Sequence, residues 1–294
     1  MVTLNEDPES NPFIASIFHG KTKPPLNDFI IPFINEFNDL EKNGINFKGK
    51  IYGVKIRSFI CDAPAKAFVK GIKEHIGYYG CDKCSQVGVY VNQVLTFPEI
   101  DAPERTKVSF RSKLNPEHHR CETSLLDLNI DLVKAFPHDY MHLVCLGVTR
   151  RLLSSWAGKN KYRNGRLASR DIVTLSTCLI ESRKYWPSEF NRYPRSLLEL
   201  DHWKATECPQ FLLYLGLHCR IAILASSDLH LSMNETAKDF LKKFVELAPK
   251  CYGSEIQTYN MHSVIHHNED VKNFGILDFF SAFPFENFLQ KVKK

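Results

Sequence analysis

The stretch KIYGVKIRSFICDAPAKAFVKGIKEH, residues 50–75, decides the fold class. Its first part is rich in β-branched and apolar residues and predicts a long strand over residues 50–61. Asp62 ends this strand, and Pro64 opens a predicted helix with the sequence AKAFVKGIKEH. This order places a carboxylate at the carboxyl end of a strand, which is where α/β sheets bind their ligands.

The preceding residues continue the alternation of strands and helices. Residues 12–19, PFIASIFH, predict a short strand, which the breaker GKTKPP ends. Asn27 can cap a helix over residues 28–42, and Gly44 follows its last residues. Residues 12–75 are therefore expected to build a mixed sheet flanked by helices.

The residues that follow are increasingly helical in pattern. Residues 85–123 are polar and loop-rich, whereas residues 125–247 and 255–271 have mainly helical periodicity. The predicted fold class is therefore α/β plus α. The predicted parts are an N-terminal core over 1–80, a loop-rich and helical insertion over 81–254 and a returning helical segment over 255–294.

The composition restricts the class of protein. The chain has 294 residues, a formal charge of 38 − 33 = +5 and 44% hydrophobic residues, enough apolar surface for a real core. Its apolar runs are far shorter than the ~20 residues of a membrane span, and its acidic start lacks a secretory signal. We therefore expect a nuclear or cytoplasmic protein that is neither secreted nor bound to membranes. The mild positive charge permits a nucleic acid partner without demanding one.

The cysteines and histidines suggest a metal site. Nine cysteines, an odd number, indicate a reducing compartment in which thiols are free or hold metal. Cys81 and Cys84 form a C-x-x-C pair, and His262 and His266 lie four apart on a predicted helix, so each pair can bind one ion. His267 is the competing ligand. The alternative is that the cysteines lie unpaired in a loop and the histidines are ordinary.

Other positions have a functional and a structural interpretation. Asp62 and Glu286 are candidate ligands of Mg²⁺ or Mn²⁺, but Asp62 can instead cap the helix that Pro64 opens. Asp139 is expected to cap the helix after it, with ligand binding by Asp139 or His142 as the alternative. Trp203 can stack on a base or belong to the core.

Several stretches together resemble the transposase domain of CACTA-type DNA transposons, the tnp2-like group. They follow one another in family order over nearly the whole chain. They are IFHGKTKPP (17–25), FICDAPAKAFVKGIKEHIGYYGCDKC (59–84), RTKVSFR (105–111), HH (118–119), FPHDYMHLVCLGVTRRLL (136–153), WKATECPQFLLYLG (203–216), YNMHSVIHHNEDVKNFG (259–275) and SAFPFENF (281–288).

The resemblance implies a ribonuclease-H-like fold with a helical insertion before its last carboxylate. It also implies DNA cleavage and joining by three acids that hold two metal ions. In the wider group a C-x-x-C pair follows the second acid, and two histidines precede the final glutamate. The roles implied here are second acid for Asp62, third acid for Glu286, zinc ligands for Cys81, Cys84, His262 and His266, and DNA contacts for Trp203, Arg105 and Arg111.

The chain also departs from the family pattern. The first acid of the family lies upstream of the IFHG stretch, and no strand pattern surrounds the acids that precede it here. Lys107 and Pro209 stand where the family more often has an acidic and a basic residue. We therefore expect a truncated, transposase-derived protein that has lost cleavage, with transposon-end DNA and a second copy as the partners to consider. The rival is a non-enzymatic DNA- or protein-binding module held by the same zinc site.

Overall fold

The fold was analysed in a computed structural model, which describes residues 15–159, 164–186, 192–214, 224–226 and 228–292. It is rich in helices and contains two small antiparallel sheets of two strands each. The coarse prediction of helices combined with strands is confirmed.

The first helix, α1, spans Leu26–Asn43 and ends at Gly44. Its buried residues Ile30, Ile34 and Phe37 follow helical spacing, as predicted. The predicted cap was wrong, because the N-cap is Pro25 and Asn27 lies inside the helix. The Asn27 side chain instead accepts hydrogen bonds of 3.0 Å from the backbone N–H and the hydroxyl of Ser124.

The strands differ most from the prediction. Strand β1, Ile45–Phe47, pairs with β2, Lys50–Tyr52, as an antiparallel hairpin, and residues 53–61 continue without helix, turn or bend. The long strand predicted over 50–61 therefore ends at Tyr52. Residues 15–19 of the strand predicted over 12–19 form no strand, and residues 12–14 lie outside the described part.

A mixed sheet is absent from the described part of residues 12–75. A strand requires a neighbour for its backbone hydrogen bonds, and the described chain supplies β1 alone as a partner in this region. The second hairpin lies later in the chain and joins β3, Val89–Val91, to β4, Val94–Thr96.

Helix α2 spans Ala63–Lys70, with Asp62 as N-cap and Pro64 in its first turn, as predicted. It ends before the predicted residue 75 because Gly71 adopts a left-handed conformation with φ of 65°. A Cβ atom at Gly71 would lie 2.6 Å from the carbonyl oxygen of Cys121, so this turn has no room for a side chain.

The remaining elements are helical. Residues 141–149 of the predicted helix after Asp139 form a π-helix rather than an α-helix. The α-helices are α3 Lys107–Arg111, α4 Arg150–Trp156, α5 Ser169–Glu181, α6 Glu207–Tyr214, α7 Asn234–Tyr252, α8 Tyr259–Ser263, α9 His267–Phe274 and α10 Phe283–Val292. The 3₁₀ segments are Pro116–His118, Ser124–Asp127, Ser182–Tyr185, Leu197–His202, Ser254–Ile256, Val264–His266 and Leu277–Phe280.

Three buried clusters hold the fold together. The N-terminal cluster joins α1 and α2 to residues 125–136, so it extends past residue 80. The central cluster joins the π-helix to α7 and to the helices of residues 259–280. The third cluster surrounds α5 and Trp203. Among the described helices, none combines the length and low polarity needed to cross a membrane.

Candidate metal centre

Cys81, Cys84, His262 and His266 converge at one buried point, as predicted. Their donor atoms all lie within 4.8 Å of one another. The two sulfurs are 3.4 Å apart and the two Nε2 atoms 3.3 Å apart. Cys84 Sγ lies 3.3 Å from His262 Nε2, and Cys81 Sγ lies 3.7 Å from His266 Nε2.

These spacings fit a tetrahedral zinc ion. Bonds of about 2.3 Å to sulfur and 2.0–2.1 Å to nitrogen imply tetrahedral edges of roughly 3.8 Å between sulfurs and 3.3 Å between nitrogens. Edges between sulfur and nitrogen would be roughly 3.5 Å. Four of the six donor separations, at 3.3–3.7 Å, lie close to these edges, and the other two are within 4.8 Å. A closed set of two thiols and two imidazoles is typical of structural zinc.

The protonation states also suit metal binding. Burial opposes ionisation of Cys81, but the hydrogen bond from Cys84 and the charges of the two histidines outweigh it and lower the pKa of the Cys81 thiol well below its usual range. The hydrogen bond to Cys81, together with burial, raises the pKa of Cys84. The thiolate form of Cys81, which these contacts favour, is the form that binds metal. Burial lowers the pKa of His266, which favours the neutral imidazole, the form that binds metal.

Local structure fixes each pair. The backbone N–H of Cys84 donates to Cys81 Sγ at 3.4 Å, which closes the turn between the cysteines. The histidines lie on α8 and the 3₁₀ turn after it, and the side-chain amide of the buried Gln86 lies 2.9 Å from His262 Nδ1. This neighbour helps to hold the ring with Nε2 toward the cysteines.

His267 does not belong to this group. Its ring lies between the rings of His138 and Phe280, at centroid distances of 5.9 and 6.4 Å. It is fully buried, and neither ring nitrogen has a hydrogen-bond partner among the described residues. Of the two adjacent histidines, His266 is the one that faces the cysteines.

The two residues between the cysteines form buried ion pairs. Asp82 contacts the ammonium groups of Lys66 at 3.2 Å and Lys70 at 3.3 Å, and it accepts a hydrogen bond from the Tyr259 hydroxyl. Burial opposes the charge of Asp82, but these lysines hold the pKa of its carboxyl well below the usual range. Lys83 donates to Asp270 at 2.9 Å and to the carbonyl of Val133.

His138 joins the two ion pairs into one network. Its Nδ1 lies 3.2 Å from Asp270 and its Nε2 lies 3.4 Å from Asp82. Its ring also stacks on the ring of His266. This network was not predicted from the sequence. The signals that could have indicated it are the charged residues Asp82 and Lys83 inside the C-x-x-C pair and the two lysines four apart on α2, Lys66 and Lys70.

The two predicted metal-binding acids lie in different settings. Asp62 accepts a hydrogen bond of 2.8 Å from the backbone N–H of Ala65, which is the capping role weighed from the sequence. Glu286 lies in the first turn of α10, and its backbone N–H donates to Ala282. Among the described residues no hydrogen bond or ion pair joins the two side chains.

Asp139 and His142 form a hydrogen-bonded pair at the start of the π-helix. The buried Asp139 carboxylate accepts hydrogen bonds from the backbone N–H groups of Met141, His142 and Ala282 and from the His142 ring. Asp139 therefore caps the helix after it, as expected. The hydrogen bond to Asp139, with the charges of Asp139, Asp62 and Glu286, raises the pKa of His142 against the effect of burial. The ring is one-third exposed, so it faces solvent.

The residues predicted to contact DNA are occupied by structural contacts. Trp203 is buried in the third cluster and its indole donates to the carbonyl of Ser196, so no stacking face is open. Arg105 is buried and donates to the Cys81 carbonyl and to Asn115. Arg111 donates to the carbonyls of Leu126 and Leu128. The core role considered for Trp203 fits its position, and the stacking role does not.

Comparisons with family models, with curated proteins and with solved structures give no match for this chain.

Proposed function

We propose that this chain is a transposase-derived, zinc-stabilised module with a ribonuclease-H-like ancestry, and that it binds DNA in the nucleus without cutting it. The ancestral activity would be DNA cleavage and strand transfer with two Mg²⁺ or Mn²⁺ ions. Asp62 and Glu286 would hold these ions together with a further acid. The buried Asp139 does not supply it, because its carboxylate already accepts hydrogen bonds from three backbone N–H groups and from the His142 ring. Cys81, Cys84, His262 and His266 would hold the structural zinc.

One observation supports the proposal most. The C-x-x-C pair and the histidine pair, which come from two separate stretches of the resemblance, meet at one point although 178 residues (262 − 84) separate Cys84 from His262. A chance pair of cysteines and a chance pair of histidines have no reason to meet in the interior. The charges of Asp62 and Glu286, which both contribute to raising the pKa of His142, give weaker support.

The lack of cleavage follows from ligand counting. Two ions separated by about 3.5–4 Å need several carboxylates, and Asp62 and Glu286 supply two. One carboxylate oxygen of Asp62 also accepts the hydrogen bond that caps α2. DNA binding would then depend on exposed basic residues and fall steeply with salt.

The test uses the purified, zinc-loaded chain with duplex DNA that carries candidate transposon ends. We expect binding that weakens as salt rises and no strand cleavage in Mg²⁺ or Mn²⁺. Cleavage that is lost in Asp62→Ala would disprove the inactive state and show that these residues supply a complete metal site.

The rival function is a zinc-stabilised module that binds protein. The buried ion pairs around Asp82 favour a structural use of this region, because they hold α2 to the metal centre without leaving groups for chemistry. Absence of any DNA binding at low salt, with zinc retained, would favour this rival.

A further inference from the structure

Most backbone N–H and C=O groups of residues 53–61 have no backbone hydrogen-bond partner among the described residues. This segment runs straight from β2 to Asp62, yet among the described residues only its Phe59 N–H has a backbone partner, the carbonyl of Ala135 at 2.8 Å. Backbone N–H and C=O groups in a folded chain are normally paired, and an open row of them is a template for another strand.

The side chains of this segment alternate as in a strand. Val54 and Ile56 are half-buried against the N-terminal cluster, whereas Lys55 and Arg57 are exposed. A period of two is the pattern of a strand that has one face on a core. The conformation is thus that of a strand with its hydrogen-bonding edges open.

Exposed apolar residues precede this segment in the chain, and the ring of one of them, Phe33, lies 6.1 Å from the ring of Phe59. Every residue of the β1–β2 hairpin is exposed, including Ile51 at 68% and Phe47 at 58%. Ile31 and Phe33 of α1 are exposed as well. An isolated two-stranded hairpin is marginally stable in water, so an added strand would stabilise it. Clustered exposed apolar residues are typical of interaction sites.

The charge of the segment indicates the chemistry of its partner. Residues 44–61 contain four cations, Lys48, Lys50, Lys55 and Arg57, and no acid. In the described part of the chain, none of these cations forms an ion pair. Arg57 donates to the carbonyl of Phe274 instead.

We propose that residues 53–60 form a docking edge for an extended peptide segment of a partner protein, in which apolar residues alternate with acidic ones. The peptide pairs with the open backbone, its apolar side chains extend the face of Val54 and Ile56, and its acids face Lys55 and Arg57. A second copy of this chain is a poorer occupant, because self-pairing would bring cations against cations. The proposal does not depend on the transposase ancestry.

The experiment uses the full zinc-loaded chain and a ten-residue peptide of alternating valine and glutamate. Hydrogen exchange resolved by residue is measured with and without peptide. We expect slowing of at least tenfold at amides of residues 53–60 and loss of this protection as salt rises. A peptide of alternating valine and lysine should give none, and Lys55→Glu should weaken the protection by the valine–glutamate peptide, whereas Lys184→Glu, a change at another exposed lysine, should not.

Three outcomes would overturn the proposal. The first is unchanged exchange at residues 53–60 at millimolar peptide. The second is protection that rises with protein concentration alone, which identifies a second copy as the occupant. The third is protection by duplex DNA but not by the peptide, which identifies a nucleic acid surface.

Discussion

Asp82 stabilises the fold by neutralising two lysines, for which it is the one ion-pair partner among the described residues. Lys66 and Lys70 are almost fully buried, and burial lowers the pKa of Lys70 to about 8 even beside Asp82. Removing one partner of a buried ion pair leaves an uncompensated charge, at a cost of about 3–5 kcal/mol. We therefore predict that Asp82→Ala lowers the free energy of unfolding by about this amount in urea titrations with zinc in excess.

The matched control is Asp101→Ala. Asp101 also pairs with a lysine, Lys242, but it lies at the surface with its side chain 74% exposed. Exposed ion pairs contribute about 0–1 kcal/mol. Equal losses in the two variants would contradict the role of burial in the Asp82 network.

His118 makes the fold sensitive to acid. Burial, with the charge of Arg105, lowers the pKa of His118 to about 3, and its Nδ1 lies 2.7 Å from the carbonyl of Tyr79. The unfolded chain takes up this proton near pH 6.5 and the folded chain does not, so stability falls as the pH drops below about 6.5. At about 1.4 kcal/mol per pH unit, this single group removes about 2 kcal/mol by pH 5.

The measurement compares wild type with His118→Asn between pH 7.5 and 5. Asparagine can keep a donor for Tyr79 but does not titrate. We predict a smaller loss of stability on acidification in the variant, whereas the exposed His19→Asn should follow wild type. Parallel curves for all three proteins would show that His118 does not carry the effect.

At the scale of elements, Asp62 has a structural role that is independent of catalysis, because it is the N-cap of α2. The carboxylate satisfies the Ala65 N–H, and asparagine caps a helix about as well as aspartate, whereas alanine costs about 1 kcal/mol. We predict near-wild-type stability for Asp62→Asn and a loss of about 0.5–2 kcal/mol for Asp62→Ala in thermal unfolding. Equal loss in both variants would mean that the charge, and not the cap, matters at this position.

The helices of this chain were easier to predict from a single sequence than its strands. Helices α1 and α2 follow from their periodicity and from signals such as Gly44 and Pro64, because a helix satisfies its own backbone, although α2 ends at Gly71, before the predicted residue 75. The strand over 50–61 was predicted too long because a strand needs a partner whose position the local sequence does not encode.

The metal centre was predictable for a different reason. Few residue types bind zinc, so a C-x-x-C pair and two histidines four apart are visible in sequence, and their predicted meeting is confirmed. The ion pairs of Asp82 and Lys83 were not predicted, because the local sequence does not show that Lys66, Lys70 and Asp270 are buried. Burial depends on how distant segments pack.

At the scale of the whole molecule, the metal centre ties the start of the chain to its end. An ion bound by Cys84 and His262 closes a loop of 178 residues (262 − 84) and so connects the N-terminal cluster with the central cluster. In the chain-entropy model of a cross-link, closing a loop of this length restricts the unfolded chain by about 5 kcal/mol. We therefore expect metal binding at this site to be coupled to folding.

We predict that one zinc ion binds per chain and that removing it with a chelator lowers stability by up to about 5 kcal/mol. Cys81→Ser and His262→Ala should abolish stoichiometric zinc and match the stability of the chelated wild type, because each removes one of four ligands. Cys121→Ser and Cys251→Ser, which change exposed cysteines, should keep both zinc and stability. Metal analysis and urea unfolding of the same samples measure both quantities. Zinc retained in the double variant Cys81→Ser/His262→Ala would place the ion elsewhere, and an unchanged unfolding curve after chelation would separate metal binding from folding.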